Sequence, residues 1–137
     1  MMADPQTLAA LRAAAFAALE HAYAPYSKFR VGAALLSPDG QIVAGCNVEN
    51  AAYPAGTCAE RVAVGTAVAR GVQHFSHVIV ATEASVPTPP CGICRQVLHE
   101  FAPECRVISV TRGGAEAEWP LAELLPFAFE PSSLRDA

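Results

Sequence analysis

The sequence predicts an α/β fold, a three-layer α-β-α arrangement in which a mixed, roughly five-stranded sheet lies between helices. Three observations predict it. One stretch near the start repeats apolar residues at helical spacing, and five short apolar runs are bounded by Pro and Gly turns. The two kinds of segment then alternate as α-β-β-α-β-α-β-β-α, an order that interleaves helices with neighbouring strands. The 137 residues are 53% hydrophobic and 16% charged, enough apolar material for one core, so the chain is read as a single domain over residues 1–137.

Each element has a local cause. Asp4-Pro5 opens the first helix, with Asp as N-cap and Pro at the first helical position, where its missing N–H costs nothing. Leu8, Leu11, Ala15 and Leu19 form its apolar stripe, which extends to about Ala22. Val31 to Leu36 and Ile42 to Cys46 read as a hairpin joined by Ser37-Pro38-Asp39-Gly40. Thr57 is expected to cap a second helix from about Cys58 to Arg70, stopped by Gly71. Val78 to Thr82 reads as a buried strand, and the prolines among residues 86–90 require a stiff loop. A third helix is expected from about Gly92 to Phe101, ended by Pro103, followed by a strand over Arg106 to Thr111 and a turn at Gly113-Gly114. A weak strand at Ala117 to Trp119 and a short helix near Leu121 to Leu125 complete the reading.

The chemistry is concentrated in Cys58-Ala59-Glu60 and Pro90-Cys91-Gly92-Ile93-Cys94. Three thiolates hold a zinc ion and leave its fourth position open, the mark of a catalytic rather than a structural site. Both segments fall at predicted helix starts, where the dipole favours anions and lowers a thiol pKa. Glu60 is then placed to move protons at the open position. Three thiolates also give Zn²⁺ a net negative charge, which blunts its effect on water. Arg61 and Arg95, each beside a motif residue, are the candidates to offset it by donating to the sulfurs. His21, His74, His77 and His99 stand at no zinc-finger spacing, and Cys46 and Cys105 read as buried small hydrophobes.

Composition excludes several partners. A net charge of −4 and a lone lysine, Lys28, supply no basic stripe for phosphates, so nucleic acid is not expected. Met1-Met2-Ala3-Asp4-Pro5 has no basic leader region, and Arg12 and Glu20 interrupt the alanine-rich stretch that follows. Neither a signal peptide nor a membrane span is expected, and a cytoplasmic location follows.

At these residues the chain resembles the zinc nucleoside deaminases of the cytidine and deoxycytidylate deaminase family, in particular its short homotetrameric members. Cys rather than His at the first ligand position is the pattern of that subgroup. Further resemblance lies in Tyr26 to Leu35, in Gly45 to Pro54 and in Leu124 to Phe129. The resemblance implies a cytidine deaminase-like fold, one Zn²⁺ per subunit held by Cys58, Cys91 and Cys94, and a homotetramer with active sites at subunit interfaces. It implies hydrolytic deamination of cytidine and deoxycytidine to uridine and deoxyuridine in pyrimidine salvage, with Glu60 carrying protons as water attacks C4. Asn47 and Glu49 would bind the ribose 3′-hydroxyl, Phe29 would pack on the pyrimidine and the Ala59 backbone would read the base edge. Tyr53 and Phe129 would reach a neighbouring subunit's site, and Arg61 would temper the thiolates. Glu49 also disfavours a 3′-phosphate, so nucleosides rather than nucleotides are expected. Two other readings stand beside this one: a deaminase of an aminopyrimidine antibiotic such as blasticidin S, and a structural zinc module with Cys105 as the remaining candidate for a fourth ligand.

Overall fold

Helix α1 (Pro5–Leu19) begins where Asp4-Pro5 places it: the Asp4 carboxylate accepts from the Thr7 N–H at 2.8 Å and Pro5 occupies the first turn. The computed structural model describes residues 3–135, so Met1 and Met2, and with them part of the reading of the chain's start, lie outside the described residues. The helix stops at Leu19, short of the expected Ala22, because Tyr23 leaves it to pair with Val48. Strands β1 (Val31–Leu36) and β2 (Ile42–Cys46) form the expected hairpin. Its turn places Gly40 at a φ of 90°, the left-handed region that glycine enters without a Cβ clash.

Helix α2 (Ala59–Ala69), strand β3 (His77–Thr82), helix α3 (Gly92–Phe101) and strand β4 (Arg106–Thr111) follow. Strand β5 (Glu116–Pro120) and the short helices α4 (Leu121–Leu124) and α5 (Pro131–Arg135) complete the described chain. The sheet order is β2-β1-β3-β4-β5, with β3 and β4 parallel and every other pair antiparallel. This is the mixed five-stranded sheet that the sequence predicts. Strand β3 lies at its centre and is buried along its whole length, which explains why it reads as a continuous apolar run rather than an alternating one.

The two faces follow the period of two. Ala34, Leu36, Ile79, Ala81, Ile108 and Val110 pack against Leu11, Ala15 and Leu19 of α1. Ala33, Leu35, Val43, Val78, Val80 and Val107 face the opposite layer, built by α2, α3 and α4. Two glycines let the helices approach. A Cβ on Gly32 would lie 1.9 Å from the Ala15 carbonyl oxygen of α1, and one on Gly45 would lie 2.5 Å from the Ala63 nitrogen of α2.

Some details differ from expectation. Cys58, not Thr57, is the N-cap of α2. Thr57 is still extended, with its N–H and C=O both paired to Val48 at 2.9 Å, so the chain turns into the helix one residue later. A 3-10 turn at Tyr53–Ala55 and helix α5 were not expected, since segments of three and five residues are too short for periodicity to register. Cys105 is buried, and burial pushes its thiol up to about 12, so it is a neutral core residue; Cys46 is only half-buried.

Candidate active site

The two helix starts on the α2–α3 face bring three sulfurs together. Cys58 is the N-cap of α2 and Cys91 the N-cap of α3, while Cys94 lies in the first turn of α3 and is fully buried. The Sγ atoms all lie within 4.8 Å of one another, with Cys58–Cys91 at 3.9 Å and Cys91–Cys94 at 3.4 Å. A tetrahedral zinc with Zn–S bonds of about 2.3 Å sets sulfurs about 3.8 Å apart, so the triangle fits the ion without rearrangement. Cys105 is not among these ligands. Among the described residues the cluster therefore offers three protein ligands, the number that leaves a position open.

The electrostatics suit a cation. The Cys58 thiol is pulled down to about 5, first by a hydrogen bond from Cys94 and then by the Arg61 guanidinium, against the opposing effect of burial. Cys94 moves the other way, because it donates to Cys58 and is buried beside Glu60. The cluster thus favours a thiolate at Cys58, and a divalent cation bound there would favour deprotonation of its other ligands. Glu60 sits one residue inside α2 and is 5% exposed. Burial raises its carboxyl to about 7, with the Cys58 charge adding to the shift.

Arg61 and Arg95 have different surroundings. Arg61 lies three residues after Cys58, on the same face of the helix, and its Nη2 approaches the Cys58 sulfur at 3.8 Å and the Gly56 carbonyl at 3.4 Å. Arg95 was expected on the sulfurs as well. Its Nε instead donates to the Pro90 carbonyl at 2.7 Å and its Nη1 to the Leu124 carbonyl at 2.8 Å. Those carbonyls lie outside regular pairing and need donors, so the guanidinium braces the peptide before Cys91 rather than the thiolates. Replacing Arg61 with Ala is expected to weaken zinc binding about 10–100-fold, the usual scale for losing a group that supports a metal ligand. Competition with a chelator of known affinity measures it, and unchanged affinity would remove Arg61 from the site.

A cleft of about 250 Å³ opens beside the sulfurs and is lined by Cys58, Ala59, Glu60, Cys91, Phe29 and Asn47, among others. The isolated bridge between Val48 and Thr57 holds the Asn47–Glu49 segment against the start of α2. Asn47 spends part of its amide on the scaffold: Oδ1 accepts from the Val31 N–H at 3.0 Å and Nδ2 donates to the Phe29 carbonyl at 2.8 Å. The Glu49 carboxylate accepts from the Tyr26 and Ser27 N–H groups at 3.0 and 3.1 Å and from the Ser27 hydroxyl. Those Ser27 bonds hold its pKa below the usual carboxylate range.

A second cavity of about 370 Å³ adjoins the first, sharing Ser27 and Glu49 with it, and includes Tyr53 in its wall. Tyr53 stands edge-on to Tyr26 at 6.0 Å and is largely exposed. Phe129 lines neither cavity; its carbonyl accepts from the Gln96 Nε2 at 3.0 Å while the ring is exposed. Sequence alone assigns no role to Ser27, or to Thr88 and Pro89, which also line the cleft. For Ser27 a signal existed, because serine hydroxyls commonly accept from the N–H two residues on.

Comparison with known proteins agrees with this geometry. A curated cytidine deaminase from Sporosarcina psychrophila is 48% identical over 119 residues, covering 85% of this chain and 87% of that protein. A crystal structure of cytidine deaminase from Burkholderia pseudomallei superposes with a TM-score of 0.85 at 46% identity, covering 88% of this chain and 98% of that one. A blasticidin-S deaminase from Bacillus cereus is more distant, 28% identical over 111 residues, covering 75% of this chain and 79% of that protein. The family model for the cytidine and deoxycytidylate deaminase zinc-binding region matches residues 5–110, a span that takes in both helix starts and all three sulfurs, and the chain belongs to that family.

Proposed function

We propose that this protein catalyses the hydrolytic deamination of cytidine and deoxycytidine, releasing ammonia and leaving uridine or deoxyuridine. The observation that carries the reading is the buried Glu60, its carboxyl raised to about 7, lining one cleft with Cys58 and Cys91 of the sulfur triangle. A carboxyl group with a pKa near neutrality both accepts and returns a proton at the working pH. Zinc held by Cys58, Cys91 and Cys94 would supply Lewis acidity and lower the pKa of the attacking water. Glu60 takes a proton from that water and delivers it to ring N3, which makes C4 electrophilic. Oxygen adds to C4, Glu60 takes the remaining proton from that oxygen and passes it to the amino group, and ammonia departs as the C4 carbonyl forms.

Substrate recognition follows from unused hydrogen-bonding capacity. Asn47 has one amide N–H and Glu49 one carboxylate lone-pair site left after their bonds to the scaffold. One sugar hydroxyl is complementary to that pair: it donates to Glu49 and accepts from Asn47. Phe29 packs on the pyrimidine, and the Ala59 backbone reads its edge. A homotetramer completes the site, with Tyr53 and Phe129 serving a neighbouring subunit. The fully exposed Phe127 and the exposed Phe129 support this, since aromatic rings displayed together call for a cover. An active monomer in sedimentation would overturn the shared sites. The reaction belongs to cytoplasmic pyrimidine salvage; among the described residues, no helix is long and apolar enough to cross a membrane.

The likeness to a blasticidin-S deaminase gives the second reading. Incubating the purified protein separately with cytidine and with blasticidin S, and following loss of the aminopyrimidine absorbance, separates the two. Cytidine is expected to be consumed. Consumption of blasticidin S alone would overturn the proposal.

A further inference from the structure

We propose that Ser27 is a positioning residue whose hydroxyl ties sugar recognition at Glu49 to base recognition at Phe29; this rests on the nucleoside reading above. The Ser27 hydroxyl donates to the Glu49 carboxylate and accepts from the Phe29 N–H at 3.0 Å. A hydroxyl carries one donor and two acceptor sites, so it makes both bonds at once. The other side of Phe29 is held in the same way, because its carbonyl accepts from Asn47 Nδ2. Phe29 is thus fastened at its carbonyl to Asn47 and at its N–H, through Ser27, to Glu49, the two side chains left with capacity for one sugar hydroxyl.

The backbone explains why a fastening is needed here. Lys28, between Ser27 and Phe29, has a φ of 60°, in the left-handed region that L-residues other than Asn, Asp and Gly seldom enter. Such a conformation persists only where its surroundings hold it. Glu49 grips the near side of this turn through the Tyr26 and Ser27 N–H groups, and the Ser27 hydroxyl carries the grip across Lys28 to Phe29. Ser27 also lines both cavities, so its hydroxyl stands between the space beside the sulfurs and the space beside Tyr53. A sugar hydroxyl that engages Glu49 steadies the carboxylate, and through Ser27 it steadies the aromatic ring against the base.

The test compares Ser27→Ala with Ser27→Thr, which keeps the hydroxyl. Ser27→Ala is expected to raise KM for cytidine about tenfold or more and to leave kcat within about threefold, since Ser27 touches neither the reacting atoms nor the sulfurs. Ser27→Thr is expected to recover most of the loss, and Ser27→Ala combined with Phe29→Ala to cost less than the two separate effects together. An unchanged KM, an equal fall in kcat, or strict additivity would overturn the role. Hydrogen exchange at the Phe29 amide, measured without substrate, probes the relay directly. It should quicken in Glu49→Gln, which leaves Ser27 in place, and unchanged exchange there would overturn the relay even if Ser27→Ala did not fold. Failure of the wild-type protein to turn over cytidine would instead refute the nucleoside reading, independently of the exchange result.

Discussion

Replacing Glu60 with Gln is expected to lower kcat for cytidine by about 10²–10⁴-fold while bound zinc stays unchanged. Gln preserves the shape of the side chain but carries no proton that it can give up and take back. Glu60 is not among the three sulfur ligands, so the triangle that fits the ion is untouched. The variant therefore separates proton transfer from metal binding, which a cysteine variant cannot do. The wild-type carboxyl is raised to about 7 chiefly by burial, and a neutral amide is tolerated in the same buried place without the cost of desolvating a charge. The variant should fold as well as the parent. Zinc analysis and steady-state kinetics on one preparation decide the matter: turnover within a few-fold of wild type would strip Glu60 of the proton-carrying role.

The second large effect is expected at Gly45. A Cβ there would lie 2.5 Å from the Ala63 nitrogen, 2.9 Å from the Ala59 carbonyl oxygen and 2.9 Å from the Ala63 Cα. All three are helix backbone atoms, so no side chain can swing aside and α2 itself must move. Overpacking of this kind costs about 3 kcal/mol or more, enough to lower the melting temperature by roughly 10 °C. The displaced segment includes Ala59, between Cys58 and Glu60, so zinc affinity should fall together with stability. Gly32→Ala makes the instructive contrast. Its Cβ would meet the Ala15 carbonyl oxygen at 1.9 Å, a worse clash, but α1 carries no ligand, so its cost should appear in stability with little change in zinc affinity per folded molecule. At Gly65 of the same α2 helix an added Cβ meets nothing within 4 Å, and Ala is expected to stabilise by about 0.5–1 kcal/mol. Denaturant unfolding and chelator competition across the three variants test this, and a Gly45→Ala protein as stable as wild type would refute the packing argument.

What the sequence made legible was set by local physics. Asp4-Pro5, the Pro-Asp-Gly turn and the uninterrupted apolar run of β3 each act over a few residues, and each produced the element expected of it. The sulfur cluster was legible for a similar reason, since cysteines at the starts of two helices have few alternatives once the helices converge. What stayed hidden depends on parts of the chain distant in sequence. Arg95 neighbours Cys94, yet its guanidinium is claimed by carbonyls at Pro90 and at Leu124, and nothing local to α3 says that the end of α4 lies within reach. The Thr57 cap failed because Val48 had already engaged both backbone groups of Thr57. Ser27 went without a role because its importance comes from Glu49, 22 residues on, and from the left-handed turn at Lys28.

The most direct measurement of the central claim is zinc content and cytidine turnover on the same preparation, before chelation, after it, and after zinc is restored. The account predicts close to one zinc per chain, with activity lost on removal and recovered on return. Undiminished deamination by metal-free protein, or a full complement of zinc with no turnover of cytidine, would contradict it.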